Sequence, residues 1–352
     1  MTSPEQETRQ TKTKKKRPAW LLVLLDLMLT GLVLCVFATF HHVIPSIQRR
    51  LSGPITPIAT IVPSAAPTQR PQTEDGEEAE PEPDPNDWRV KFAEHFTDEV
   101  IVTENSYASP NISITISTHF EEAENHQVRT WYVADIYIAQ IENFQTCFSN
   151  ARYHESAESL SEQYGFILGV NGDYATNQSE GLLVRNGQIY LDEQTANDIC
   201  VLYYDGTMET YGAEEYIASE ILERDVYQSW KFGPELLEPD GSPKTSFNTT
   251  YAIESRNPRT GLGYYEPGHY CFVVMDGRQD GYSNGIPMDG FARIFSELGC
   301  VSAYNMDGGD STIMMFNGSR YNTPSHGGRN LGDMLYITEL TAGEPAPEEG
   351  EG

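Results

Sequence analysis

The chain has 352 residues, 39% of them hydrophobic and 11% aromatic, with 23 Lys and Arg against 52 Asp and Glu and a formal net charge of −29. That length holds one large or two medium domains once tails are removed, and so acidic a chain leaves no electrostatic basis for binding nucleic acid. Five cysteines with no C-x-x-C pair and no Cys/His cluster exclude a zinc-ribbon type of site.

Along the chain, residues 1–19 form a basic tail with Arg9, Lys12, Lys14, Lys15, Lys16 and Arg17, and the apolar run from Trp20 to Phe40 follows with one charge, Asp26. About 20 apolar residues suffice to cross a hydrocarbon core of about 30 Å, and no small-residue cleavage site follows Phe40. The expectation is an uncleaved signal anchor over residues 20–42. Its basic flank stays cytoplasmic and everything after it faces the exterior, making a single-pass cell-membrane protein. Residues 51–88 hold eight prolines and the acidic stretch Glu80-Pro81-Glu82-Pro83-Asp84-Pro85, so residues 43–88 read as an extended, disordered stalk. A foldable domain spans 89–340, and 341–352 is an acidic disordered tail. Cys35 falls in the span. Outside it, Cys147, Cys200, Cys271 and Cys300 allow three pairings, with free buried thiols as the alternative.

Within the domain, Ile112-Ser-Ile114-Thr-Ile116 alternates with period two, and Trp131 to Ile138 is rich in β-branched and aromatic residues, so these read as adjacent strands. Asn186-Gly187 and Asp205-Gly206 each mark a hairpin. Ser156–Tyr164, Ala213–Glu223 and Met288–Leu298 carry helical apolar spacing, the last closing at Gly299. The irregular mixture predicts an α+β fold: a mixed, largely antiparallel β-sheet with flanking helices, preceded by one transmembrane helix.

Four polar, glycine-rich segments adjoin strand-like runs, where a rigid sheet can hold functional groups. Asn171-Gly172-Asp173 ends a buried run, although such a triplet is most often a turn. Asn257-Pro258-Arg259-Thr260-Gly261 reads as a Pro-fixed loop whose Arg259 and Thr260 suit an anion, against the bland reading of surface arginines paired with nearby acids. Asp276-Gly277-Arg278 through Tyr282-Ser283-Asn284-Gly285 leads into the Met288 helix and offers Arg278 and Ser283 to a phosphate, while Asp289 is placed to cap that helix. Asn305-Met-Asp307-Gly308-Gly309-Asp310-Ser311 sets two glycines between two aspartates, an arrangement suited to close approach of the backbone to a ligand.

These four segments, in this order, resemble the phosphodiester glycosidase domain, the family of the animal uncovering enzyme, over about residues 110–340. Arg329-Asn-Leu-Gly-Asp333 is similar to the family's polar ending, and Asp310 stands where a third glycine is common. The resemblance implies hydrolysis of a sugar-1-phosphodiester, of N-acetylglucosamine type, at the anomeric C–O bond. The sugar is released and a phosphate monoester remains.

On that reading Asp307 is the first candidate catalytic carboxylate and Asp173 the second. Arg259, Thr260, Arg278, Ser283 and the N–H groups of Gly172, Gly308 and Gly309, with Ser311, address the phosphate. Asn171 and Asn305 hold the sugar. A metal stays open: Asp173, Asp307 and above all Asp310 are oxygen ligands suited to Ca2+ or Mg2+. The expected partner is a phosphodiester-linked glycan: a bacterial wall polymer, capsule or glycoconjugate. Two rival readings are a metal-dependent phosphodiesterase that cuts P–O instead, and a non-catalytic glycan-binding module. His269 and His326 lie nearest the motifs, and a structural role is the default for each.

Overall fold

A computed structural model describes residues 87–340 apart from 124–126, 150–154 and 178–179, together with 56–61, 63 and a few positions between 20 and 34. Most of the expected membrane span lies outside these residues. Among the described residues, no helix is long and apolar enough to cross a membrane. The chain divides into two units, Met1–Arg50 and Leu51–Gly352, and the β-sheets lie in the second.

Four sheets are present, antiparallel in every pairing among the described residues. The largest has seven strands in the order β15 (Ser302–Asn305), β13 (Arg259–Glu266), β14 (His269–Met275), β5 (Gln127–Ile138), β4 (Ile112–Ala123), β3 (Ser106–Ala108) and β2 (Ile101–Val102). A five-stranded sheet runs β17 (Ser319–Arg320), β16 (Met314–Phe316), β7 (Leu168–Asn171), β18 (Asp333–Ile337) and β6 (Phe144–Phe148). Two three-stranded sheets complete the set: β11 (Met208–Tyr211), β10 (Ile199–Tyr203) and β12 (Val226–Trp230); and β1 (Ala59–Thr60), β9 (Gln188–Asp192) and β8 (Leu182–Arg185).

Period-two alternation decides which core each residue enters. In β14, Tyr270, Phe272 and Val274 enter the central core shared with the five-stranded sheet, while Cys271, Val273 and Met275 enter a second core under the helix Met288–Glu297. Both faces of that strand are therefore buried, which is why its sequence is continuously apolar. In β4, by contrast, Ile112, Ile114 and Ile116 are buried while Ser113 is half-buried and Thr115 and Ser117 are exposed. Each fully buried aliphatic or aromatic side chain contributes about 1.5–3 kcal/mol relative to exposure.

The α+β expectation holds, with four sheets where one was expected. Both predicted hairpins form, β8–β9 across Asn186-Gly187 and β10–β11 across Asp205-Gly206. The helix Ala157–Tyr164 is capped by the Ser156 hydroxyl, which accepts from the Ser159 N–H at 3.1 Å, and it ends on left-handed Gly165.

Four expectations need correction. Only Ala218–Ile221 of the predicted 213–223 helix is helical; Gly212 N–H donates to Glu215 and holds the preceding residues in a turn. Residues from Arg259 onward are strand rather than loop. Asp289 sits in the first turn of its helix and pairs with Arg293 at 3.1 Å, the N-cap being Pro287. Finally, the expected stalk contains β1, which adds to the β9 edge through Ile58 N–H to Ile189 O and Ile61 N–H to Gly187 O, both 2.7 Å.

Candidate active site

Two strand ends and a loop converge on one cleft of about 270 Å³: the start of β13, the end of β15 and the loop that follows β15. Its lining includes Asn257, Pro258, Arg259, Arg278, Asn305, the run Asp307 to Asp310, and Arg329. Gly261 of β13 lies opposite Asn305 of β15, which brings the Arg259 and Asp307 segments side by side. Asn171, at the end of β7, stitches the two large sheets together. Its Oδ1 accepts from Thr260 Oγ1 at 2.6 Å and from Ile313 N–H at 3.2 Å, and its Nδ2 donates to Asp307 O at 2.6 Å.

The double glycine has a steric cause. A Cβ on Gly308 would lie 2.7 Å from Pro258 O, and Gly309 has φ +65°, so neither position accepts an ordinary side chain without strain. The turn they form presents Asp307. One Asp307 oxygen accepts the Gly308 N–H at 2.9 Å, and the other receives Arg329 Nη2 at 2.6 Å. Arg329 Nε also donates to Ser311 Oγ, and the guanidinium lies 5.5 Å from the Tyr174 ring centroid.

Arg278 reaches the cleft from the other side. Its own φ is +59°, an uncommon conformation for a residue with a Cβ. The loop that carries it packs backbone against backbone: a Cβ on Gly285 would sit 2.5 Å from Asn257 O, and one on Gly277 would sit 2.8 Å from the Gly285 Cα. Asp276 anchors this loop through bonds from Asn322 Nδ2, Thr323 N–H and Tyr282 OH; burial nevertheless raises its carboxyl above the usual range. Arg278 donates to Asn257 Oδ1 at 2.9 Å and to Asp310 Oδ1 at 3.1 Å. Asp310 also accepts from Ser325 Oγ and meets His326 Nδ1 at 3.1 Å; the Ser325 bond foremost, then His326 and Arg278, holds its carboxyl below the usual range.

Arg259 is buried, and its guanidinium donates to main-chain carbonyls alone among the bonds described: Ile286 from Nε, and Ile253, Glu254 and Ser255 from Nη2. Burial brings its pKa down to about 10. The Asn305 amide has its nitrogen committed to Gly233 O at 2.8 Å and Met306 O at 3.0 Å, while its Oδ1 is buried without a hydrogen-bond partner. That oxygen is an unsatisfied acceptor behind the cleft wall, closed to the cleft itself.

Other predicted site residues do not line the cleft. Asp173 is buried beside Arg185 at 2.5 Å and accepts the Lys231 N–H at 2.9 Å. Asp333 completes that cluster, 3.6 Å from Arg185, and accepts the Asp173 and Ala175 N–H groups at 3.1 Å each. Burial, then the neighbouring Asp173, raises the Asp333 carboxyl well above the usual range. Gly172 is glycine because a Cβ would fall 1.9 Å from Asp333 Oδ2, and its N–H is given to Asp333 O. Ser283 donates to Asp276 O, Thr260 to Asn171, and Ser311 receives Arg329, so all three hydroxyls order the scaffold. Among the described residues, no three His, Cys, Asp or Glu side chains converge as a metal site requires, and the metal candidate Asp310 is engaged by Arg278, Ser325 and His326.

Arg329 is the principal cleft residue that sequence reasoning left without a role, although the Arg329-to-Asp333 segment stood out. Its contact with Asp307 spans 22 residues and has no local signature.

Residues 164–338 match the family model of the phosphodiester glycosidases. Over 180 residues the chain is 29% identical to the SPbeta prophage-derived uncharacterized protein YomE of Bacillus subtilis (strain 168), a match that takes in 49% of this chain and 28% of that protein. The chain thus spans little more than a quarter of that relative's length. Its fold is similar to that of the zebrafish N-acetylglucosamine-1-phosphodiester alpha-N-acetylglucosaminidase catalytic domain, solved in a form auto-inhibited by its pro-peptide. The TM-score is 0.55 at 19% identity, over 69% of this chain and 88% of that one.

Proposed function

Residues 164–338 belong to the phosphodiester glycosidase family, and from that premise we propose that the chain hydrolyses the anomeric C–O bond of a sugar-1-phosphodiester, with an N-acetylglucosamine-type sugar as first candidate. The observation that carries the reading is a concentration of cations: in a chain of net charge −29, one cleft is lined by Arg259, Arg278 and Arg329 around Asp307. Three guanidinium groups are a suitable clamp for a phosphodiester.

The chemistry needs little proton donation. The departing oxygen belongs to a phosphate monoester whose second pKa is about 6, so it leaves without a strong general acid. Charge stabilisation of the phosphate is the larger requirement; Arg278 supplies it at the cleft surface, and the buried Arg259, whose described bonds go to main-chain carbonyls, adds positive charge from the cleft wall. Asp307 stabilises the electron-poor anomeric carbon, as nucleophile or as base for water. Arg329 keeps that carboxylate oriented, and Asn305, on the wall beside it, shapes the sugar pocket. Asp173 drops out of the catalytic set because it is enclosed with Arg185, and Asn171, Gly172, Thr260, Ser283 and Ser311 act as scaffold.

We place the domain outside the cytoplasm, on a phosphodiester-linked surface glycan, because a basic cluster precedes the apolar run Trp20–Phe40. Protease added to intact cells should remove the domain; resistance until lysis would reverse this topology.

The deciding experiment incubates the full chain with an N-acetylglucosamine-1-phosphodiester in 18O water, with and without added Ca2+ or Mg2+. Free sugar carrying the label, reduced roughly 1,000-fold or more in Asp307→Asn, is the expected result. Label in the phosphate would identify P–O cleavage, and no turnover across a panel of sugar phosphodiesters would leave a binding module.

A further inference from the structure

We propose that Cys271 and Cys300 form a disulfide that ties β14 to the entry of β15, a covalent site separate from the cleft. Their sulfurs stand 3.7 Å apart, and both side chains are buried in the apolar core under the helix Met288–Glu297. Cys271 pairs across the sheet with Gly263 of β13, which pairs in turn with Ala303 of β15. The two cysteines therefore approach one another over the central strand.

Gly263 makes that approach possible. A Cβ at this position would fall 2.6 Å from Cys271 Sγ and 2.8 Å from Cys300 Sγ, so the sulfurs occupy the volume a side chain would have filled. A disulfide requires an S–S separation of about 2.05 Å, so the sulfurs must close by roughly 1.6 Å through side-chain rotation and a small strand adjustment. Cys147 and Cys200 lie in other clusters, and no other pair of thiols among the described residues is recorded within bonding reach.

The bond would close a loop that contains the Arg278 arm and the whole helix Met288–Glu297. The oxidant is a small-molecule disulfide such as oxidised glutathione. One cysteine thiolate attacks it and releases a first glutathione thiol; the second cysteine then attacks the mixed disulfide and releases the other. Two cysteine protons and two electrons thus end on two glutathione thiols. Burial raises the Cys271 thiol well above its ordinary pKa, so oxidation belongs to folding, before the core closes.

The test refolds the full chain in a glutathione redox buffer, denatures it, alkylates free thiols and maps the unreduced peptides. The expected result is a Cys271–Cys300 linked peptide with Cys35, Cys147 and Cys200 alkylated. The melting temperature should also be about 5–10 °C higher than after reduction, a difference that disappears in Cys300→Ala. Five alkylated cysteines, or a linkage through Cys147 or Cys200, overturns the proposal. Should Cys300→Ala fail to fold, the wild-type peptide map decides alone.

Discussion

Asp307 takes its orientation from two donors, the Gly308 N–H and Arg329 Nη2, and the second can be removed without touching the turn. Arg329→Ala should lower kcat roughly 100-fold, in the range of other residues that orient a reacting group, while an unchanged melting curve shows that the fold survives; full activity would mean that Asp307 is held by the turn alone. Arg259 is tested by removing its charge. Its guanidinium is held by the carbonyls of Ile286, Ile253, Glu254 and Ser255, so Arg259→Gln should raise KM for an anionic substrate roughly 10-fold, and an unchanged KM with an intact melting curve would remove it from the clamp. Asp333 has the opposite sign from an ordinary paired carboxylate. Its folded pKa is raised, so its contribution to stability is full below the unfolded value of about 4 and is lost as pH rises through the folded one. Asp333→Asn is neutral throughout and should flatten that decline in melts taken between about pH 4 and about pH 9; an equal or steeper decline would show the sign to be wrong. At this scale the sequence marks residues whose neighbours are local. The paired glycines point to Asp307, whereas Arg329 and Arg185 acquire their partners only when distant strands meet, and Asp173, identical in type to Asp307, is distinguished by burial alone.

Elements were legible where periodicity or turn chemistry is strong. The alternation of Ile112, Ile114 and Ile116, the two Asn-Gly and Asp-Gly turns, and the capped helix Ala157–Tyr164 are local consequences of pattern and propensity. Residues 213–223 failed because apolar spacing says nothing about what competes for the backbone: the Ala218 N–H finds Gln194 Oε1 and the Gly212 N–H finds Glu215. The strand Arg259–Glu266 was obscured by glycines that exist for packing. A Cβ on Gly261 would meet Phe295 at 2.7 Å and Phe291 at 2.8 Å, the rings that seat the long helix on the sheet. Gly261→Ala should therefore cost about 1–3 kcal/mol, visible as a lower denaturant midpoint with an unchanged slope. A midpoint equal to wild type would mean that the helix can shift away freely.

At the scale of the molecule, charge and reaction pull in opposite directions: a net charge of −29 repels an anionic substrate, and the cleft arginines reverse that field only locally. Composition conveyed the acidity and the apolar N-terminal run, but the placement of a few basic groups in one cleft is a property of topology. The short strand Ala59–Thr60 has its own consequence at this scale. By covering the outer edge of the Gln188–Asp192 strand it occupies a row of main-chain donors and acceptors that would otherwise invite a strand from another molecule. Shortening the protein to begin at residue 87 would uncover that row, so the truncated form should self-associate where the longer one does not. A segment that resembles mere spacer in the sequence thus acts as a stopper against aggregation.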